Sequence, residues 1–525
     1  MQGRYLSMLF NSNEFLFVFL PLSLLLFYLA RRALGKRPAF IVLFILSLGF
    51  YGWWEWRYLP LLIGSLAVNL WIAERIRTRK HRSDLVVGLC FNLGLLAVFK
   101  YLGFIEGNIE ALFGIELDWP KLALPIGISF YTFQQIAFLV DVARSDSDEA
   151  TDPARYGLFV SFFPQLIAGP IVHHKEMMNQ FEAPPSNDKL MRLAAVGLAI
   201  FAIGLAKKTM IADPLGAFAT PFFARATEGG DIHFFIAWAA ALAYTFQIYF
   251  DFCGYSEMAI GLAMLFGVKL PANFNSPYKS RSIIDFWRRW HMTLSRFLRD
   301  YLYFPLGGGR VSRWRRYINL MIVMLVGGLW HGASWTFVIW GGLHGSYLMI
   351  NHGWRAIADK PMLKPLKGLI SNLSLPITFF SVVIAWVVFR AESFDAAMAF
   401  YNAMFGFHGL SAPEEFRPLI EALGLQNSVF LFAENYRTDF YMGLIWTFGA
   451  AVIAFFAPST LELLRSERPT ADFDEIERSL PAPRRYLPSL VSMRAWSSVA
   501  VGVLLYISLR AINAAAETEF LYFQF

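Results

Sequence analysis

The chain is predicted to fold as an all-α polytopic membrane protein, and three observations carry that expectation. Its 525 residues are 56% hydrophobic and only 16% charged, well below the roughly 25% charged content of soluble domains. Apolar runs recur along it about eleven times, most of them near the roughly 20 residues that a helix needs to cross the hydrocarbon core. Lys and Arg collect in alternate loops between those runs, the pattern of the positive-inside rule. The 46 Lys and Arg against 39 Asp and Glu give a formal charge of +7. The excess reads as membrane topology, and no nucleic-acid partner is expected. Cys90 and Cys253 both lie in apolar runs, so no disulfide framework or CxxC site is implied.

The elements follow in order. The first run, 15–30, is preceded by Glu14 and followed by RRALGKR, which fits a retained helix and not a cleaved signal peptide. Arg31, Arg32, Lys36 and Arg37 mark the first loop as cytoplasmic. After runs 39–54 and 59–73, Arg75, Arg77, Arg79, Lys80 and Arg82 mark the third. The N-terminus is therefore expected outside. Runs 85–105 and 121–141 enclose an acidic outer loop with Glu106, Glu110, Glu116 and Asp118. The stretch LFVSFFPQLIAGPI (158–171) is short and broken by Pro164 and Gly169-Pro170, the pattern of a re-entrant segment buried against other helices. Runs 190–206 and 233–266 follow, and Lys207 and Lys208 fall on the outer side, where interfacial snorkelling is their only account. Residues 317–350 are too long for one crossing and are interrupted by Gly327-Gly328 and Gly341-Gly342, so two short helices meeting inside the protein fit better. Runs 367–390 and 440–457 flank a second acidic loop that includes Glu414, Glu415, Glu421, Glu434 and Asp439. Arg465, Arg468, Arg478, Arg484, Arg485 and Arg494 then place the next loop inside, so the last run, 495–512, leads to an outer C-terminus. No repeated half appears, which weighs against the inverted-repeat plan of a transporter.

Three clusters carry candidate chemistry. In VGGLWHGASWTF, His331 sits inside a long apolar run, where an ionisable side chain is costly and marks a functional site by default. A neutral imidazole hydrogen-bonded between helices is the competing reading, and periodicity does not separate the two. Such a histidine, with an ordinary pKa of about 6.5, also suits a general base. Gly328 and Gly332 beside it are expected to let another backbone approach. Upstream, residues 281–310 interleave Arg288, Arg289, Arg296 and Arg299 with Trp287, Trp290, Phe297 and Tyr301, an interfacial amphipathic pattern. These arginines are candidates to hold a phosphate-bearing donor. Attraction to anionic headgroups accounts for each of them equally well. His291 lies within this segment with its role open. In the third cluster, QIYFDFCGYSEMAIG, Asp251 and Glu257 interrupt an apolar helix and are expected to form structural ion pairs with a histidine or an arginine. His173, His174, His344 and His352 are less informative, as are His81, His233 and His408. No HExxH metal pattern, P-loop or GxSxG elbow is present. No metal is expected, and serine-hydrolase chemistry, if needed, must come from a partner.

Taken together, LPIGISFYTFQ, FVSFFPQLIAGPI, QIYFDFCGYSEMAIGLAMLFG, NFNSPYKSRSIIDFWRRWHMTLSRFLRDYLYFPLGG and GGLWHGASWTFVIWGGLHG resemble the membrane-bound O-acyltransferase family, most closely its alginate-acetylating branch. The resemblance covers most of residues 120–350, with a compatible N-terminal part, and implies one integral-membrane domain over 1–525. Within that domain it implies a core at 119–350, a periplasmic tail at 513–525 and a funnel or tunnel through the bilayer. It implies His331 as the catalytic residue, with His291 in the segment paired with it. It implies acetyl-coenzyme A as a donor substrate, with no cofactor tightly bound. It further implies a bacterial inner-membrane location, a periplasmic partner of the SGNH serine-esterase type and an exported polysaccharide acceptor. Alginate leads among the polymers, with cellulose or peptidoglycan as alternatives. A non-covalent transporter of acetyl groups or saccharides, and a scaffold for periplasmic machinery, are the contrasting functions.

The chain ends in EFLYFQF, which differs by few letters from the protease site ENLYFQ of expression vectors. It follows an outward run without a linker or tag, and it resembles C-terminal motifs of the same family and of small partner peptides in teichoic-acid systems. That resemblance assigns Tyr522 as acyl acceptor. Independently, the ten residues from Ile512 to Tyr522 can reach some 33 Å, against the roughly 15 Å from the interface to the midplane. A phenol of pKa about 10 is a leaving group comparable to a thiol, so its acetyl ester keeps much of a thioester's transfer potential. The bland alternative is an aromatic anchor for the last helix.

Overall fold

The structure is a computed structural model. It describes residues 8–145, 150–358, 367–426, 429–432, 437–479, 495–514 and 520–521. The chain packs as two compact units. The first comprises Met1–Ala206, Gly254–Asn273 and Thr460–Gln524, and the second Lys207–Cys253 and Phe274–Ser459.

Six helical stretches among the described residues are long and apolar enough to cross a membrane: Phe15–Ala33, Lys36–Arg79, Arg82–Phe113, Asn187–Thr227, Phe234–Leu265 and Gly368–Arg390. Phe440–Phe456 and Ser498–Ala514 are shorter apolar helices. Lys36–Arg79 is two helices, because Glu55 is extended and Pro60 opens the second of them. The run expected over 121–141 is helical as Ile128–Arg144, and 317–350 is indeed two helices, but Arg313–His331 and Trp335–Ala358 are 19 and 24 residues long, part after His331, and carry Gly327-Gly328 and Gly341-Gly342 inside them.

In the first unit, a ladder of buried amides joins three helices. Ser65 Oγ and Asn69 Nδ2 each donate to Gln135 Oε1 at 2.7 Å, and Asn92 Nδ2 donates to Asn69 Oδ1 at 2.6 Å. Polar side chains of this kind hold helices together where lipid supplies no hydrophobic drive. Residues Gly197 and Gly261 face each other so closely that a Cβ on either would collide with the other's carbonyl. The segment read as re-entrant, 158–171, begins in the helix Pro153–Ser161, which breaks at Phe162 and resumes for one turn at Phe163–Leu166; residues 158–171 are buried throughout. Of the C-terminal motif, Phe520 and Leu521 are described, and both are buried. Phe520 stacks on Tyr255 with ring centres 4.3 Å apart, and Tyr255 in turn stacks on Phe10 at 4.8 Å. Tyr522 lies outside the described residues.

Among its described residues the second unit departs from an all-helical reading at one pair of strands. Strands β1 (Leu410–Pro413) and β2 (Val429–Phe432) pair in parallel. Four residues each, they are too short to leave a strand signature in the sequence. The hairpin Arg313–His331 and Trp335–Ala358 packs against Lys367–Arg390. Ahead of it, the amphipathic segment forms Ile283–Trp287, Met292–Leu298 and a π-helical turn at Arg299–Tyr303.

Candidate active site

His331 is the last residue of its helix, and the chain turns immediately after it through an extended Gly332. The hairpin closes because its contact residues lack side chains. A Cβ at Gly328 would collide with the carbonyl of Phe337, one at Gly341 with the carbonyl of Met324, and one at Gly332 with the Phe337 ring. Close packing, the role the spacing assigns to Gly328 and Gly332, is the role they have. Gly328→Ala is accordingly expected to force the two helices apart. Overpacking of this kind costs about 1–3 kcal/mol, or more where the obstacle is backbone, and the loss is measurable as a lowered melting temperature in detergent.

The hairpin carries His331 to the other histidine. Their ring centres lie 6.2 Å apart, and both side chains are buried. His291 caps the N-terminus of Met292–Leu298 in a left-handed conformation, with φ +43°. For a residue with a side chain this is an uncommon, strained state that the surrounding packing must enforce. The edge of Phe252 meets its ring at 4.8 Å, and Trp330 lies at 5.9 Å. Burial pushes the His291 pKa down to about 3, so at neutral pH it is an uncharged imidazole, a hydrogen-bonding group and not a counter-ion. Around His331 stand Trp330 at 5.0 Å, Trp340 at 5.1 Å and Phe389 at 5.3 Å. The chemistry available to this arrangement is proton transfer from a hydroxyl to an imidazole shielded from water, beside a second neutral imidazole that can orient a substrate.

The four candidate arginines separate. Arg289 is buried; its Nε donates to Asp285 Oδ1 at 3.0 Å and its Nη1 to the Asn275 carbonyl at 3.3 Å, a structural engagement. Arg299 pairs with its neighbour Asp300. Arg288 is exposed and Arg296 half-buried. The sequence marks all four as donor candidates, and the Asp285–Arg289 pair, which spans the end of Ile283–Trp287, emerges only in the structure.

Two features had no such reading. His344 is fully buried, and its Nδ1 accepts from Trp287 Nε1 at 3.3 Å, which leaves the proton on Nε2. Its ring lies 4.9 Å from Trp340. The signal was available, since it is an ionisable residue in an apolar run just as His331 is. The second is Lys208, assigned above to snorkelling. It is buried in a π-helical turn, Lys207–Ala212, and its Nζ lies 2.7 Å from both Asp213 Oδ1 and Asp251 Oδ1. Asp251 thus has the structural ion pair expected of it, with a lysine where a histidine or an arginine was expected. The π turn brings the ammonium round to both acids, and such turns are hard to see in a sequence. Glu257 belongs to the first unit. That unit also holds a cavity of about 650 Å³ lined in part by His174 and Asp141, which are hydrogen-bonded at 3.1 Å, and it contains neither His291 nor His331.

A family model described as the membrane-bound O-acyltransferase family matches residues 95–389, a span that contains both site histidines. A peptidoglycan O-acetyltransferase of Helicobacter pylori is 43% identical over 78% of this chain and 82% of its own length. A probable alginate O-acetylase of Pseudomonas aeruginosa is 39% identical over 99% of this chain and 100% of its own. A teichoic acid D-alanyltransferase of Streptococcus thermophilus is 28% identical over 72% of this chain and 94% of its own.

Proposed function

Because the chain belongs to the membrane-bound O-acyltransferase family, we propose that it is a bacterial inner-membrane O-acetyltransferase that takes acetyl from cytoplasmic acetyl-coenzyme A and delivers it to an exported polysaccharide. The observation that carries the reading is the pairing of His331 with His291, two buried imidazoles 6.2 Å apart. In this mechanism His331 takes the proton of an acceptor hydroxyl as the oxygen attacks the thioester carbonyl. The tetrahedral intermediate collapses with loss of the thiolate, and the proton passes from the imidazolium to that sulfur. His291 orients the substrate. Arg288, Arg296 and Arg299 receive the donor's phosphates on the cytoplasmic side, and both termini are periplasmic, a topology that the alternation of basic loops supports.

The acceptor in this scheme is Tyr522. Its acetyl ester retains transfer potential, and the tail is long enough to carry it from a site within the bilayer to the periplasm. A serine-esterase-type partner there would move the acetyl group to the polymer. Alginate is the polymer favoured, because the likeness to the probable alginate O-acetylase runs end to end. Peptidoglycan is the second reading, favoured by the higher identity, over a shorter span, of the Helicobacter relative.

Incubating the purified protein with labelled acetyl-coenzyme A and mapping its peptides tests the scheme. Label is expected on the C-terminal peptide of the wild type and absent from Tyr522→Phe. Acetylation of a supplied partner by Tyr522→Phe at the wild-type rate would reduce the tail to an anchor.

A further inference from the structure

The rings around His331 bear on which acyl group the site accepts. Trp330, Trp340 and Phe389 are each nearly inaccessible, with ring centres 5.0–5.3 Å from the imidazole. A second row supports them. Phe337 meets Phe389 edge-on at 5.0 Å, Trp386 meets Phe389 at 5.2 Å, and Trp386 stacks on Trp340 at 5.7 Å. Interlocked aromatic packing of this density does not yield to an extra methylene without strain.

Attack requires the acceptor oxygen within hydrogen-bond reach of His331, about 3 Å, and the carbonyl carbon roughly 3 Å from that oxygen. The sulfur departs toward the side by which the donor entered, so the acyl carbons point the other way. A methyl group bonded to that carbonyl then falls at about the radius at which the rings stand, and every further carbon must enter the shell. We infer that Phe389 and Trp340 are the specificity-determining residues that limit the transferred group to acetyl. The chemistry is unchanged by chain length: the C–S bond breaks, a C–O bond forms, and the hydroxyl proton moves through His331 to the thiolate. The inference rests on the assignment of His331 and of an acyl-coenzyme A donor made above.

The test uses the full-length protein in proteoliposomes with acetyl-, propionyl- and butyryl-coenzyme A, following thiol release. The variants are Phe389→Ala and the milder Phe389→Leu, with Phe380→Ala, on the exposed face of the same helix, as a control. The wild type is expected to prefer acetyl over propionyl by about 10- to 200-fold, the discrimination one methylene supports. Phe389→Ala is expected to reduce that preference at least tenfold by gaining propionyl and butyryl transfer. Phe389→Leu is expected to shift it in the same direction, and Phe380→Ala to leave it unchanged. A gained activity is not an outcome that misfolding produces. Acetyl transfer by both Phe389 variants with the wild-type preference would overturn the inference and leave the donor assignment standing. Failure of the wild type to turn over acetyl-coenzyme A would overturn the donor assignment and the inference with it.

Discussion

Replacing His331 with alanine is expected to lower the rate of acetyl transfer about 10³-fold, within the range that a positioned general base contributes. The KM for the thioester donor should stay close to the wild-type value. A group that acts only as a proton is in flight stabilises the transition state and not the bound substrate, so the loss falls on kcat and kcat/KM together. His331 is buried at the end of its helix among Trp330, Trp340 and Phe389, so removing the ring also leaves a void, which destabilises in its own right. His331→Gln separates the two effects, since it fills most of the volume and hydrogen-bonds without serving as a base. Both variants should be inactive, and the glutamine variant should melt closer to the wild type. A glutamine variant retaining more than a tenth of the wild-type rate would exclude His331 as the base and leave it a packing residue.

Lys208→Met carries the largest expected effect on stability. The lysine side chain is 4% exposed and those of Asp213 and Asp251 are 14% and 2% exposed, so the substitution leaves two carboxylates deprived of this cation. Removing one member of a buried charge cluster costs about 3–5 kcal/mol, because the remaining charges lose their compensation without regaining water. The unfolding midpoint in detergent should fall steeply. The companion expectation is partial rescue. Asp251→Asn placed in the Lys208→Met background lowers the uncompensated charge and should recover part of the loss, even though the same change in the wild type is destabilising. Additive losses in the double variant would show that the three side chains do not act as one cluster, since independent sites add and coupled ones do not.

These expectations differ in how much of them could be read from the residues alone. His331 was legible as a residue to test because an imidazole in an apolar run is an energetic anomaly wherever it is found. The close packing at Gly328 and Gly332 was legible because small residues let a neighbour approach, although Gly332 lies past the helix end and meets Phe337 from the turn and not from a shared helix face. Lys208 was misread as a snorkelling side chain, since its two acidic partners lie 5 and 43 residues further along the chain. A π-helical turn, which has no composition of its own, brings them together. His344 was passed over although its position resembles that of His331. Nothing in the linear order showed that the Trp287 indole would hold its Nδ1.

The sequence by itself determined the membrane class, the position of the apolar helices, the broken segment near Pro164 and the two histidines to test. Each of these is a local property of hydropathy, helix period or residue cost in lipid, and it is settled within some twenty residues. Only the tertiary structure decided which charges neutralise one another, that Arg289 serves Asp285, that His291 is held in a left-handed turn, and which rings enclose His331. Those facts depend on side chains brought together from distant parts of the chain. Their meeting is selected by packing and by the cost of leaving a buried polar group without a partner, and neither quantity is defined until the helices have found their neighbours.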